Sequence, residues 1–391
     1  MTADGRDDRE AAAVAMLERL VAFRTESRSS NLECVDFIRN HLAGLGIETT
    51  TIYDETHTKA NIFATIGPRV PGGVVLSGHT DVVPAEEGDW TSDPFRLVER
   101  DGRLYGRGAC DMKGFDAIVL SAVPRMLAAG LKAPVHIALS YDEEVGCKGA
   151  PSLVEAMTRA IPPPRAVIVG EPTMMAPVIG HKSSLSFFTT VKGKPVHSSR
   201  IDTGVSAVMI AARLIAWLDE TMEANRRRAA PNGFAPPYTT LHCGMVKGGV
   251  AANIVAQACE FVTDIRSVPD EDPLAYRGAF EAYIAQEILP RMHSVAPETG
   301  VAIIERSHVP SLAPEPGGAA GALARELTGV DEAGFVSYGT EAGIFQRAGW
   351  STVVCGPGDI AQAHQADEYL SREQLRAGVA FTDRLIARLS D

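Results

Sequence analysis

The feature that most constrains the fold of this chain is the alternation of short apolar runs with helical patterns in its first part. The runs that have the length and composition of buried strands are 60–66, 73–77, 135–140 and 166–169. The helical patterns lie at 11–23, 32–45, 115–127 and 150–160. Because strands that alternate with helices usually pair in parallel, this order predicts an α/β layer with a mainly parallel sheet flanked by helices.

The pattern changes after about residue 182. Polar and apolar residues alternate at 185–191 and 260–266, and helical patterns occupy 204–224 and 273–288. A small antiparallel sheet backed by two helices explains this α+β pattern, so we expect this part of the chain to form a separate domain.

The α/β pattern returns from about residue 295, with a strand at 352–355 and a closing helix at 372–389. The length of 391 residues also exceeds a single ordinary core. We therefore predict a catalytic domain formed by residues 1–182 and 294–391, interrupted by an inserted α+β domain at 183–293.

Charge and composition exclude several classes of partner. The formal net charge of -12 repels polyanions, and no stripe of Lys and Arg interleaved with aromatic residues offsets it, so nucleic acid is not expected. The composition is not that of a membrane-spanning protein, and the first residues do not resemble a signal peptide. Six scattered cysteines without a CxxC pair indicate reduced thiols, so we expect a cytoplasmic protein.

Metal-competent side chains directly follow three of the predicted strands. They are His79 and Asp81 in VVLSGHTD, Asp142, Glu143 and Glu144 in IALSYDEE, and Glu171 in AVIVGEP. Because the carboxyl ends of parallel strands converge on the crevice where ligands bind, these side chains should lie close together. Carboxylates placed together repel one another unless protons or cations neutralise them, so the recurrence predicts a metal centre. Each residue alone could equally cap a helix or lie on a solvated face.

Two further candidates lie in loops. Asp111 stands in the glycine-rich segment GRLYGRGACDMKG, and His364 stands in GPGDIAQAHQADEY after the last predicted strand. The first segment lacks the Lys-Ser/Thr pair of a phosphate-binding loop and has Asp111 where a dinucleotide fingerprint needs its third glycine. Both nucleotide motifs are therefore excluded. A lone loop histidine is usually solvated, so His364 counts only together with the other candidates.

Five motifs in order, GHTDVVP, GRGACDMKG, DEEVG, GEPT and AHQADEY, resemble those of the M20 family of di-zinc peptidases and deacylases over nearly the whole chain. Within this family, the segments WTSDPFRL, GEPTMMAPVIGHK and HQADEYL are most similar to acetylornithine deacetylases. The resemblance implies a di-zinc exopeptidase-like catalytic domain with an inserted lid and dimerisation domain. It also implies hydrolysis of a small N-acyl-L-amino acid, with N-acetyl-L-ornithine as the expected substrate in arginine biosynthesis.

The family pattern implies two Zn²⁺ ions per subunit, with Co²⁺ or Mn²⁺ as substitutes. The implied ligands are Asp111 as the bridge, His79 and Glu171 at one metal, and His364 and Glu144 at the other. Glu143 corresponds to the general base, and Asp81 to a carboxylate that orients His79. The pattern further implies a cis peptide bond between Asp111 and Met112.

The inserted domain contains three of the residues that the resemblance implies for substrate binding and catalysis. His197 in VKGKPVHSSR resembles an oxyanion-binding histidine that reaches the active site of relatives across a dimer interface, which implies a homodimer through the inserted domain. Arg266 in TDIRS matches the carboxylate-binding position, with Asn253 as a helper at that carboxylate or at the oxyanion. An ion pair with Asp264 is the alternative for Arg266.

The last candidate, Glu341 in YGTEAGIF, resembles a segment of acetylornithine deacetylases and is expected to bind the cationic side chain of the substrate. Its alternative is a cap for the following helix. Within the family, a broader aminoacylase, a succinyl-diaminopimelate desuccinylase and a dipeptidase stay open. Outside it, the alternatives are a metal-stabilised binding protein and a cysteine hydrolase that uses Cys110 or Cys147 with a histidine.

Overall fold

The computed structural model describes residues 4–27 and 29–391 of the chain. The helices are α1 (Asp4–Val21), α2 (Leu32–Gly44), α3 (Lys113–Ala128), α4 (Ala150–Ala160), α5 (Ala207–Arg228), α6 (Pro273–Tyr283), α7 (Leu289–His293), α8 (Ala319–Thr328), α9 (Ala342–Arg347) and α10 (Arg372–Ser390). The strands are β1 (Thr49–Tyr53), β2 (Ala60–Ile66), β3 (Val74–His79), β4 (Val98–Arg100), β5 (Arg103–Tyr105), β6 (Val135–Ser140), β7 (Ala166–Pro172), β8 (Val178–His181), β9 (Ser184–Lys192), β10 (Thr240–Gly248), β11 (Ala258–Arg266), β12 (Gly300–Val309), β13 (Gly334–Val336), β14 (Thr352–Gly356) and β15 (Tyr369–Ser371).

The chain divides into two compact units. The first consists of Met1–Gly180, Pro314–Gly334 and Thr340–Asp391, and the second of His181–Ala313 and Phe335–Gly339. In the described part of the chain, every helix is too short or too polar to cross a membrane.

The first unit is built on a sheet in which β6, β3, β7 and β14 are parallel neighbours. Every residue of β3, β6 and β7 is buried, which explains why these strands are continuous apolar runs in the sequence. Apolar side chains of α1, α3 and α10, among them Leu17, Val119 and Leu385, belong to the same buried cluster as those of the strands. The predicted α/β class with a mainly parallel sheet flanked by helices is therefore confirmed.

The second unit contains an antiparallel sheet in the order β10-β11-β9-β12. Leu214 of α5 and Phe280 of α6 pack with Phe261 of β11 in one buried cluster, which confirms the α+β pattern of this part of the chain. Strand β12 pairs with β9, so this unit extends to Ala313, past the predicted domain boundary at 293. The boundaries of functional domains stay a prediction, because compactness alone does not assign function.

Candidate metal centre

The predicted metal-competent residues of the first unit emerge at one edge of its sheet. Strands β3 and β6 are parallel and in register, with His79 paired to Ser140, so the residues after both strand ends lie side by side. His79 is fully buried. Asp142 belongs to neither group of metal-competent side chains in the described residues, and its carboxylate pairs with Lys59.

Asp111 lies between two histidines that are far apart in sequence. Its Oδ1 is 3.1 Å from Nε2 of His79, and its Oδ2 is 3.3 Å from Nε2 of His364. The peptide bond between Asp111 and Met112 is cis, as the family pattern implied. Because each oxygen of Asp111 faces a different imidazole, this carboxylate has the placement that a bridging ligand requires.

Two glutamates complete this cluster, one beside each histidine. Oε1 of Glu171 is 3.7 Å from Nε2 of His79, and Oε2 of Glu144 is 2.9 Å from Nε2 of His364. Two groups of three side chains could each hold a metal ion, because the ligand atoms within a group lie within 4.8 Å of one another. One group is His79, Glu143 and Glu171, and the other is His79, Asp111 and Glu144. Imidazole nitrogens and carboxylate oxygens without a thiolate form a donor set that suits Zn²⁺ and related divalent cations.

The electrostatics of the cluster also fit a cation. Burial raises the pKa of Glu143 to about 8, and burial together with the charge of Asp111 raises the pKa of Glu144 to about 7. Hydrogen bonds to Asp111 and Glu144 raise the pKa of His364 to about 10. The raised pKa values of these acids mean that they bind protons readily near neutral pH, and a divalent cation can take over this role when it displaces the protons.

Asp81 acts on the glutamates as well as on His79. Its Oδ1 and Oδ2 accept hydrogen bonds from the backbone N–H groups of Glu143 at 3.0 Å and Glu144 at 3.3 Å. Oδ2 also accepts a hydrogen bond from the hydroxyl of Ser27 at 2.8 Å, and Ser27 is a contact that the sequence patterns did not reveal. Nδ1 of His79 lies 2.9 Å from the backbone carbonyl oxygen of Asp81 but 3.6 Å from its carboxylate. The carboxylate of Asp81 therefore orients the loop that carries Glu143 and Glu144.

The cysteines near the cluster are poor nucleophiles. Sγ of Cys147 donates a hydrogen bond to Oε1 of Glu143 at 3.2 Å, a contact that the sequence reasoning missed. Burial raises the pKa of Cys147 well above its usual value, and burial together with the charge of Glu368 raises the pKa of Cys110. Since the thiolate is the reactive form, these surroundings disfavour a cysteine hydrolase.

In the second unit, His197 and Asn253 are brought together. His197 forms a bridge with Ile254, and the N–H of Ser198 donates to the carbonyl of Asn253 at 2.9 Å. His197 is exposed, and its Nδ1 accepts a hydrogen bond from the N–H of Ser199, which leaves Nε2 as the donor for a ligand.

Arg266 lies at the other end of the same sheet. It ends β11, and its Nε donates to Oδ2 of Asp264 at 2.9 Å, so the predicted alternative contact is present. This bond leaves the two terminal nitrogens of the guanidinium for a carboxylate ligand. Within one chain, Asn253 therefore lies beside His197, the predicted oxyanion donor, and away from Arg266. Its role as a helper at the carboxylate or at the oxyanion stays a prediction.

The predicted contact of Glu341 with a substrate side chain is not what the structure shows. Its side chain is completely buried, and its two oxygens accept hydrogen bonds from Ser77 at 2.6 Å and Ser140 at 2.7 Å. The carboxylate therefore contacts both β3 and β6 and has no exposed surface. Glu341 therefore links these two strands in the interior of the first unit.

We expect Glu341→Leu to destabilise the protein without changing its substrate preference. The substitution leaves the buried hydroxyl of Ser140 without its acceptor and that of Ser77 with only a long bond of 3.4 Å to the carbonyl of Ala138. Each lost bond costs about 1–3 kcal/mol in the free energy of unfolding. Glu341→Gln is the matched control, because a serine hydroxyl both donates and accepts and can keep both bonds. Denaturant unfolding measures the stability. If folded Glu341→Gln differed from wild type in its relative rates on N-acetylornithine and N-acetylmethionine, the substrate-binding role would be restored.

Sequence similarity to acetylornithine deacetylases covers most of the chain. An acetylornithine deacetylase from Myxococcus xanthus is 37% identical over 386 residues, which cover 95% of this chain and 96% of the relative. An acetylornithine deacetylase from Proteus mirabilis (strain HI4320) is 36% identical over 358 residues, which cover 87% of this chain and 86% of the relative.

Solved structures support the fold. An M20 family metallo-carboxypeptidase from Sulfolobus solfataricus superposes with a TM-score of 0.77 at 17% identity, over 97% of this chain and 99% of the other. A dinuclear metal-binding M20 peptidase from Bacillus subtilis superposes with a TM-score of 0.62 at 18% identity, over 98% and 99% of the two chains. The model of peptidase family M20/M25/M40 matches residues 75–388. This chain therefore belongs to peptidase family M20/M25/M40 and is a metal-binding hydrolase of amide bonds.

Proposed function

We propose that this chain hydrolyses N-acyl-L-amino acids, with N-acetyl-L-ornithine as its substrate and L-ornithine and acetate as products. We further propose that it acts in the cytoplasm, in arginine biosynthesis. The observation that carries the proposal is the position of Asp111, whose two carboxylate oxygens each face a histidine that also has a glutamate beside it. The choice of substrate is supported by the two acetylornithine deacetylases that are 37% and 36% identical. The free cysteines suit a reducing compartment.

The proposed cofactors are two Zn²⁺ ions, for which Co²⁺ or Mn²⁺ can substitute. The residues that would hold them are Asp111 between both ions, His79 and Glu171 at one, and His364 and Glu144 at the other. When bound, such a pair of cations lowers the pKa of a water molecule and polarises the scissile carbonyl.

Glu143 is proposed to move the proton. As the water oxygen attacks the acyl carbon, the carboxylate of Glu143 accepts a proton from the water and then delivers it to the amide nitrogen, so that the C–N bond breaks with a neutral amine as leaving group. Asp81 holds the N–H of Glu143, and Cys147 holds its Oε1, so both ends of this residue are oriented.

Arg266 and His197 are proposed to bind the two ends of the reacting amino acid: the guanidinium binds the α-carboxylate, and Nε2 of His197 donates to the oxyanion. Within one second unit they lie far apart, because His197 pairs with Ile254 at one end of the strand ladder and Arg266 lies at the other. From Ala258 to Arg266, β11 spans eight residue steps, or roughly 26 Å at about 3.3 Å per step, and Ile254 lies beyond its first residue. An N-acyl amino acid is only about two residues, or roughly 7 Å, long.

This separation supports the proposed homodimer, since a single substrate can contact both residues only if two chains contribute them. The second unit also offers a surface for pairing. Strand β10 is an edge strand, and its region exposes apolar side chains: Met245 is 70% exposed, Val246 62% and Val250 85%. Exposed apolar edge strands are templates for pairing with another chain. We therefore propose that the second copy pairs through β10.

Arg266→Lys is expected to lower kcat/KM for N-acetyl-L-ornithine by about 10- to 100-fold, mainly through KM, because an ammonium cannot bind a carboxylate with two parallel bonds. The assay compares N-acetyl-L-ornithine with its α-carboxamide, and the variant should lose most of the preference for the acid. Asp264→Asn is the control, because it removes the ion-pair partner and keeps the guanidinium. An unchanged preference in Arg266→Lys would contradict carboxylate binding.

The proposed function is tested by amine release from N-acetyl-L-ornithine, N-acetyl-L-methionine and N-succinyl-L,L-diaminopimelate. Each substrate is offered to the protein as purified, after chelation and after reconstitution with Zn²⁺. We expect hydrolysis that requires metal and prefers N-acetyl-L-ornithine. A metal-dependent preference for another substrate would replace the substrate and keep the site, whereas metal-loaded protein that hydrolyses none of them would reject the proposal.

A further inference from the structure

Glu368 is a buried carboxylate that accepts hydrogen bonds from the segment carrying Asp111. Its Oε1 accepts hydrogen bonds from the backbone N–H groups of Cys110 at 2.9 Å and Asp111 at 3.0 Å. Its Oε2 accepts from the N–H of Gly108 at 3.0 Å and from the guanidinium of Arg107 at 2.7 Å. Glu368 is only 1% exposed, so these four donors replace the water that would otherwise solvate its charge.

The local backbone is shaped for this contact. Gly108 has a φ of +81°, and a Cβ at this position would lie 2.6 Å from Cγ1 of Val82, so only glycine fits the turn that aims its N–H at the carboxylate. Arg107 is held as well, because its guanidinium lies 5.1 Å from the ring centroid of Trp90 and also donates to the carbonyl of Pro84 at 3.3 Å. The loop before Asp111 is therefore built around an anion.

Glu368 also belongs to the segment that carries the second histidine. It follows His364 by four residues and directly precedes β15, which pairs with β5. The backbone carbonyl of Glu368 accepts from the N–H of Gly106 at 3.0 Å, so side chain and main chain both bind the same loop. Glu368 therefore joins the segment of His364 to the loop of Asp111. The side chains of these two residues also meet, since Nε2 of His364 lies 3.3 Å from Oδ2 of Asp111.

We propose that Glu368 is a positioning residue of the metal centre, which sets the placement of Asp111 relative to His364 by clamping the loop of one to the segment of the other. This inference rests on the proposed roles of Asp111 and His364 as metal ligands. Glu368 acts through the backbone of Asp111 and not by coordination, since its two oxygens are occupied by the four donors. Groups that orient metal ligands typically contribute about 10- to 100-fold to metal affinity.

The test compares wild type with Glu368→Gln and with Glu10→Gln as the matched control. Glutamine places an NH₂ group against the donors of Gly108 and Arg107, so the hydrogen bonds on that side should be lost. Glu10 is likewise buried and pairs with an arginine, Arg376, at 2.8 and 3.3 Å, but it takes no part in the metal cluster. Both substitutions therefore remove one buried carboxylate charge that faces a guanidinium.

The readouts are Zn²⁺ affinity, from competition with a chromogenic chelator on metal-free protein, and thermal unfolding of the same metal-free protein. We expect Glu368→Gln to bind Zn²⁺ about 10- to 100-fold more weakly than wild type and Glu10→Gln to bind it normally. Metal-free Glu368→Gln should also unfold at a lower temperature than metal-free Glu10→Gln, because Arg107 is buried whereas Arg376 is half exposed. Wild-type Zn²⁺ affinity in folded Glu368→Gln would overturn the inference. So would equal losses in both variants, since the effect would then be general.

If Glu368→Gln does not fold, Glu368→Asp tests the inference instead, because it keeps the carboxylate charge and shortens the side chain by one methylene group. Weakened Zn²⁺ binding by folded Glu368→Asp supports the clamp, and unchanged binding overturns it. Failure of the proposed function can be distinguished from failure of this inference. In the first case, the wild-type protein itself binds no Zn²⁺ or does not hydrolyse N-acetyl-L-ornithine. Failure of this inference alone appears as normal wild-type protein together with normal Zn²⁺ affinity in the Glu368 variants.

Discussion

Glu143→Gln is expected to lower kcat for N-acetyl-L-ornithine by about 10²- to 10⁴-fold, while the protein keeps its full metal content. The amide side chain has nearly the same shape as the carboxylate but cannot accept the proton of the attacking water. The surroundings of the residue should stay intact, because Asp81 binds its backbone N–H and the thiol of Cys147 can donate to the amide oxygen. Single-turnover kinetics together with metal analysis of the gel-filtered protein measure the two effects separately.

The adjacent residue provides the matched control for this experiment. Glu144 is on the same loop, but its Oε2 is 2.9 Å from Nε2 of His364, so Glu144→Gln should lose metal as well as activity. Glu143 also lies in a ligand-competent group with His79 and Glu171. If Glu143→Gln lost metal as Glu144→Gln is expected to, Glu143 would be a ligand and its assignment as general base would be wrong.

Mixed dimers of two inactive variants should recover about a quarter of wild-type activity. Loss of one oxyanion donor costs about 10²- to 10³-fold, so His197→Ala and Glu143→Gln are each expected to be nearly inactive alone. If His197 serves the site of the partner chain, a heterodimer of the two variants contains one site with both residues intact. Random pairing makes about half of all dimers heterodimers, and one of their two sites is intact.

The control is a mixture of His197→Ala with a chain that carries both His197→Ala and Glu143→Gln. This mixture contains no His197, so its activity should stay at the level of the single variants. Native mass spectrometry verifies that the chains have exchanged. Heterodimers of the first mixture that remain inactive would show that His197 does not act across the interface, and a protein that stays monomeric would reject the proposed homodimer.

Buried strands of the sheet in the first unit could be predicted because their signal is local. A strand that is buried on both faces is a continuous apolar run, and the limits 60–66 and 135–140 predicted for β2 and β6 agree with those observed. Strand β12 was missed because it is an edge strand with mixed exposure, so its residues show neither a continuous apolar run nor a regular alternation. Its pairing with β9 depends on a partner more than a hundred residues away.

The sequence alone determined which side chains could form the metal cluster, since His79, Glu144 and Glu171 follow recognisable strands. Asp111 and His364 lie in loop motifs that resemble those of the family. Only the tertiary structure decided how close they come and what surrounds them. It buried Glu341 between two serines, placed Asn253 beside His197 and away from Arg266, and wrapped the loop of Asp111 around Glu368. The reason is physical: periodicity records whether a position is buried, whereas the partner of a buried polar group depends on which distant segments pack against it.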